Sequence, residues 1–222
     1  MFVKDYMTKN PLTILLDANL PQAISVVRKN KIRHLPVTDD AGKLVGIVVE
    51  KDLLSNQPSP ATTLSVFEIY SLLESLRVRQ IMSSPVITVT GDCPIEEAAR
   101  IMVENKISCL PVMDGDQIVG IITETDVFRV LVEFLGGHED GFRFTLRAPD
   151  EVGKLSAISS VIANAGGNII AVTSRSVSEG YDEIMIKETG ADPTALKEVI
   201  QKMDVEIRDM RSSYRYQPRL FG

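Results

Sequence analysis

His34-Leu35-Pro36-Val37, followed by Leu44-Val45-Gly46-Ile47-Val48-Val49-Glu50-Lys51-Asp52, is written a second time as Cys109-Leu110-Pro111-Val112 and Ile118-Val119-Gly120-Ile121-Ile122-Thr123-Glu124-Thr125-Asp126. Each copy is two apolar runs split by a turn and closed by an acid. The match extends outward, so that Val3 to Ser55 reappears, with changes, as Val78 to Val130. The copies lie about 75 residues apart, longer than a solenoid period, which argues for one pair of modules rather than an array. A unit that cannot bury its own apolar face pairs with its twin, and seams between such units are where small ligands bind.

Upstream of the apolar runs, Thr13-Ile14-Leu15-Leu16 and Thr88-Val89-Thr90-Gly91 read as a short first strand. Asp17 and Asp92 follow as candidate N-caps. The apolar residues Leu20, Ala23, Ile24, Val27 and Ile95, Ala98, Ala99, Met102 recur at i, i+3, i+4, i+7, the spacing of one buried helix face. The runs Leu35 to Thr38 and Leu44 to Val49, and Leu110 to Met113 and Ile118 to Thr123, are strands, and the Asp-Gly of the second turn is a hairpin signal. Short helices start near Glu50 and Glu124. Each unit is therefore strand, helix, strand, strand, helix.

Between the repeats, Asn56 to Thr63 is rich in Pro, Ser and Thr and reads as a loop. An apolar helix follows from Leu64 to about Leu76, with Val66, Ile69, Tyr70 and Leu73 on its expected buried face. Gly136-Gly137 closes the second repeat. A different module then begins: a strand from Phe142 to Arg147, a turn at Pro149 to Gly153, and a helix from Lys154 to Ala165 stopped by Gly166-Gly167-Asn168. Strands at Ile169 to Ser174 and Tyr181 to Lys187, a helix near Pro193 to Met203 and a strand near Val205 to Met210 complete a β-α-β-β-α-β order, the ferredoxin-like plan. The tail from Ser212, with Tyr214, Arg215, Tyr216 and Arg219, is expected to be mobile. The fold class is thus mixed α/β (α+β). Its boundaries are 1–55 and 78–135 for the repeats, 56–77 and 136–141 for linkers, 142–211 for the third module and 212–222 for the tail.

Composition narrows the function. A net charge of -6 argues against nucleic acid, which needs clustered positive charge. No apolar run approaches the ~20 residues of a membrane span, and Met1 to Asp5 lacks an apolar signal region. Cys93 and Cys109 sit at non-equivalent places in the repeats, with no C-x-x-C, so neither a disulfide framework nor a metal pair is expected. A cytoplasmic setting fits. With two histidines, His34 and His138, and no acid pair at a shared spacing, no catalytic set is expected.

The repeated unit resembles the CBS domain, through Leu35-Pro36-Val37 and Leu110-Pro111-Val112 and the runs Gly46 to Asp52 and Gly120 to Asp126. The third module resembles an ACT domain, through Asp150-x-x-Gly153-x-Leu155 and Gly167-Asn168-Ile169. The order CBS–CBS–ACT is similar to that of the acetoin-utilisation protein B (AcuB-type) family. CBS pairs commonly bind AMP, ADP, ATP or S-adenosylmethionine, and the resemblance implies that Asp52 and Asp126 accept the ribose hydroxyls, as an acceptor-only carboxylate can. Family members carry Ser or Thr three residues earlier; Thr123 matches and Val49 departs. The resemblance nominates Thr88, Val89, Ser108, Pro111, Thr123 and Asp126 for one site, and Thr13, Ile14, His34, Pro36 and Asp52 for the other. ACT domains often bind an amino acid at a dimer seam, which nominates Asp150, Gly153, Leu155, Asn168 and Ile169 and implies a homodimer.

Plainer readings stand beside these. Thr123-x-x-Asp126 is also a capping box. Arg33, Lys31 and Lys106 suit phosphate or simple solvation. His34 could contact phosphate, narrow the cleft or hydrogen-bond structurally. Asn168 could serve only as the helix stop. The sequence therefore predicts a non-catalytic regulatory sensor without a resident cofactor. Its ligand would be an adenosine nucleotide, with an amino acid as a possible second ligand and an unidentified regulated protein as partner. The alternative is a scaffold with degenerate sites.

Overall fold

The computed structural model describes residues 1–58, 65–178 and 180–212. Most of the expected Pro-rich loop, Leu64 at the head of the apolar helix, and the tail from 213 lie outside the described residues. The chain divides into two compact units, Met1–Phe128 and Arg129–Gly222.

The first unit opens with α1 (Val3–Tyr6) and β1 (Thr8–Lys9). The first repeat then runs β2 (Ile14–Leu15), α2 (Leu20–Asn30), β3 (His34–Thr38), β4 (Leu44–Val49) and α3 (Glu50–Ser55). After α4 (Val66–Ser75) and a 3-10 turn at Val78–Gln80, the second repeat gives β5 (Val89–Thr90), α5 (Ile95–Asn105), β6 (Cys109–Asp114), β7 (Gln117–Thr123) and α6 (Glu124–Phe134). The predicted stripes face inward: Leu20, Ala23 and Val27 on α2, and Ile95, Ala98 and Met102 on α5, are buried. Both helices end on a lysine in the left-handed conformation, Lys31 and Lys106.

The two sheets explain why the repeats cannot separate. Strands β2-β3-β4 form one, and β1-β7-β6-β5 the other. Strand β1 lies in the leading segment of the first repeat yet pairs with β7 of the second, Thr8 opposite Ile121 and Lys9 opposite Gly120. Its counterpart is a bridge from Ser83 to Ile47 of β4. Each repeat's leading segment thus crosses onto the sheet of the other. A Cβ on Gly120 would collide with the Met7 side chain, and one on Gly46 with that of Met82. The paired glycines let the crossing segments lie flat on β7 and β4.

The caps of α2 and α5 and the burial of α4 differ from what the sequence predicts. Asp17 and Asp92 are not the N-caps; those are Asn19 and Pro94, two residues later in each repeat, and the helices start at Leu20 and Ile95. Asp17 instead pairs with Arg79 at 2.8 Å and Asp92 with Lys4 at 2.7 Å. Each acid therefore ties its repeat to the other's leading turn. Helix α4 does form, capped by Ser65, but Val66 and Tyr70 on its expected inner face are 71% and 62% exposed. Of that face, Leu73 does meet the core of the first repeat, joined by Leu76 just past the helix.

In the second unit, β8 (Phe142–Pro149), α7 (Lys154–Asn164), β9 (Asn168–Ser178), β10 (Tyr181–Thr189), α8 (Pro193–Ile200) and β11 (Glu206–Ser212) give an antiparallel sheet in the order β11-β8-β10-β9. That is the split β-α-β-β-α-β arrangement predicted. Phe144, Leu146, Ile184 and Ile186 on one sheet face bury against Ile158 and Ile162 of α7 and Leu196 and Ile200 of α8.

Candidate functional site

Two clefts in the first unit occupy equivalent places in its two repeats. One holds about 440 Å³. Its walls come from the crossing segment (Thr8, Asn10, Pro11, Leu12), from the end of α2 and start of β3 (Ile32, Arg33, His34), and from β7 and α6 (Ile121, Thr123, Thr125, Asp126). The other holds about 260 Å³. Its walls come from Ser83, Pro85, Val86 and Ile87, from Ile107, Ser108 and Cys109, and from Ile47, Val49 and Asp52. In both, the closing acid of one repeat faces the leading segment of the other, because that segment crosses over.

This regroups the nominated residues. His34 lies with Thr123 and Asp126, and Ser108 with Asp52, the reverse of the sequence grouping by repeat. Thr88 and Val89 line neither cleft; they border a separate open groove with Pro85 and Met113. Thr13 is exposed and Ile14 is part of the core. Pro36 and Pro111 are buried in their strands, opposite Ile47 and Ile121, and it is those partners that reach the clefts. Residues 8–12 and 83–87 were not nominated. The signal that could have found them is the doubled Met-Thr and Met-Ser, at Met7-Thr8 and Met82-Ser83, ahead of each first strand.

The two acids are held differently. Asp126 is 7% exposed and its Oδ2 accepts from the Thr123 N–H at 3.0 Å and the Thr123 hydroxyl at 2.7 Å. Thr123 Oγ1 in turn accepts from the Asp126 N–H at 3.4 Å. The capping box is real, and it fixes the carboxylate at the cleft wall. In the other repeat Val49 offers no side-chain cap to α3, and among the described residues no donor bonds to the Asp52 carboxylate.

Cations and polar groups favour the larger cleft. Arg33 lines it, with Nη2 donating to Thr125 Oγ1 at 2.8 Å. Its counterpart in the smaller cleft is the neutral Ser108. There the lining cation is Lys106, equivalent to Lys31. His34 Nε2 lies 2.8 Å from Ser108 Oγ, a hydrogen bond that joins the walls of both clefts. Burial pushes the His34 pKa down, and the neighbouring Arg33 adds to this, against smaller upward pulls from Glu124 and Asp126. Burial also pushes the Cys109 thiol up to about 12, which keeps it protonated and unreactive at neutral pH.

The nominated residues of the second unit do not meet within one chain. Asp150 and Gly153 follow β8 at the end where Tyr181 pairs with Pro149. Asn168 begins β9 where it pairs with Thr189. Those ends are eight residues of β10 apart, about 27 Å at the rise of an antiparallel strand. Among the described residues no His, Cys, Asp and Glu cluster could hold a metal, and no helix is long and apolar enough to cross a membrane.

Comparison with known proteins agrees with the doubled unit. The family model for the CBS domain matches residues 3–59 and 78–133. Among solved structures, a candidate acetoin utilization protein (AcuB) from Vibrio cholerae is 33% identical, with a TM-score of 0.51, over 62% of this chain and 95% of that one. The CBS domain pair of protein MJ0100, solved with 5′-methylthioadenosine and S-adenosylmethionine, is 30% identical, with a TM-score of 0.50, over 63% of this chain and 98% of that one. CBSX2, solved with AMP, is 29% identical, with a TM-score of 0.50, over 59% and 96%.

Proposed function

The chain belongs to the CBS domain family, and from that premise we propose that it is a non-catalytic regulatory sensor whose Asp126 cleft binds an adenosine nucleotide. The observation that carries this is the larger cleft itself. A buried carboxylate, pre-set by Thr123, stands on one wall, with Arg33 and His34 on the other. A carboxylate of fixed orientation can accept both hydroxyls of a ribose, and a guanidinium suits a phosphate. The volume of about 440 Å³ falls within the usual range for small-ligand sites, and about 260 Å³ falls below it. The MJ0100 pair and CBSX2, each crystallised with adenosine-containing ligands, support the ligand class. Pro11, Leu12 and Ile32 provide an apolar wall against which the purine stacks.

In the same reading the second unit is an ACT-type domain that dimerises in a cytoplasmic, AcuB-type protein. An amino acid would lie between two copies, one supplying Asp150, Gly153 and Leu155 and the other Asn168 and Ile169. Gly153, at φ +86°, is the N-cap of α7 and brings no side chain to it; the Lys154 N–H already donates to the Glu151 carbonyl, and the rest of the first turn suits a carboxylate. The strand order of the unit supports this.

Calorimetric titration with AMP, ADP, ATP and S-adenosylmethionine tests the nucleotide site. At least one binds, and Asp126→Asn weakens it at least about tenfold, since a hydrogen bond to a charged group is worth about 1.5–3 kcal/mol. Asp52→Asn leaves that affinity unchanged. No heat from any of the four, or equal losses in both variants, would sink the reading. The exposed apolar face of α4, with Phe67 84% exposed, favours a second reading as a scaffold, which a panel without any nucleotide response would select.

A further inference from the structure

The second unit contains a cleft of about 380 Å³ between the connector 135–140 and the sheet face turned away from α7 and α8. Three adjacent strands place a cation there in one row. Lys187 of β10 is directly opposite Arg143 of β8, and Arg143 is directly opposite Arg211 of β11. Phe144, Ile186 and Met210 alternate onto the core face, so the three cations share the other. Neighbouring strands lie about 4.8 Å apart, and like charges directly opposite destabilise a sheet.

The row is only partly neutralised by the protein. Arg211 forks onto Asp209, at 2.7 and 2.5 Å. Lys187 is 7% exposed, and its Nζ donates to the carbonyls of Gly136 and Glu139, both at 2.5 Å. Buried lysines are normally matched by a carboxylate. Among the described residues none lies within ion-pair distance of Lys187 or Arg143. The side chains of Glu139 and Asp140 are exposed on the rim, where they disfavour an extended polyanion but leave room for a compact ion.

We propose that the Lys187–Arg143–Arg211 row is a binding site for a small anion, a phosphate or a carboxylate, seated beneath the 135–140 connector. Binding would exchange cross-strand repulsion for charge-assisted hydrogen bonds and reinforce the tie that Lys187 already makes to the connector.

The test follows the 31P line width of inorganic phosphate, and separately the 13C line width of labelled acetate, as the full chain is added at fixed ionic strength in chloride. At least one ion broadens saturably, and Arg143→Gln weakens it at least about tenfold, while circular dichroism shows the variant folded. Phosphate alone assigns a phosphoryl ligand, and acetate alone a carboxylate. Arg33→Gln, which removes the phosphate-suited cation of the nucleotide cleft, keeps a saturable component that Arg143→Gln removes. The proposal is overturned if neither ion saturates, if Arg143→Gln binds as the wild type does, or if Arg33→Gln rather than Arg143→Gln removes the effect.

Discussion

His34 is the residue through which the two clefts touch, and its titration is legible in stability. Burial and Arg33 lower its pKa below the ordinary 6.5. Its neutral form is therefore favoured in the folded chain, and the unfolded chain takes up the proton first. By linkage this stabilisation is fully present above pH 6.5 and is lost as pH falls from there through the folded value. Urea unfolding of the first unit between about pH 7.5 and about pH 5.5, above the ordinary carboxylate range, shows the fall; in His34→Gln it is flattened. An unchanged slope in the variant would mean that another group carries it. The contrast between Thr123 and Val49 belongs to the same scale. One hydroxyl decides whether the closing acid is locked to its own helix turn or left without a cap partner, and that difference could be read in the sequence before any coordinates.

At the scale of elements, the doubled glycine of the motif has a packing reason. Gly46 and Gly120 are where the leading segments lie against β4 and β7, with Met82 and Met7 in the space a Cβ would take. Gly46→Ala or Gly120→Ala forces those methionines aside and costs about 1–3 kcal/mol, the usual penalty of overpacking. Denaturant midpoints measure it, and a loss below about 0.5 kcal/mol would show that the segment yields freely. The sequence disclosed helices α2 and α5 through their 3.6-residue spacing, and strands β3, β4, β6 and β7 through apolar runs. Both are local signals. It did not disclose β1, because two residues carry no period, nor that β1 pairs with the other repeat, because register across 112 residues, from Thr8 to Ile121, is not local. The exchange of His34 and Ser108 between the clefts is also a cross-repeat arrangement that no local signal carries. Likewise α4 was recognisable as apolar, and Leu73 of its expected face does meet the core, but apolar residues also stand off that face, at Phe67 and Leu72, so composition could not tell how much of the helix is buried. Asp17 and Asp92 looked like caps by type and place; their cation partners lie in the other repeat.

For the whole molecule, a sensor requires more than an occupied cleft. A ligand shifts a conformational equilibrium only by its differential affinity for the two states, and coupling to a second site is reciprocal. Each unit has its own apolar core, so occupancy could remain confined to the first. Helix α6 is the element that carries the chain across the boundary at Phe128, and Asp126 stands in its first turn. In the proposed reading, a ribose seated on Asp126 would further stabilise the capped start of that helix, and cooperative helix formation would pass the effect along it. A nucleotide bound there at 100 times its Kd would add about 2.7 kcal/mol to the stability of the first unit. Hydrogen exchange with saturating AMP should show amide protection rising in Glu124 to Phe128 and continuing from Val130 to Phe134. If protection rises in the first turn and stops at Phe128, the cleft binds without informing the second unit. The protein's output would then have to leave through a partner docked on the CBS pair itself.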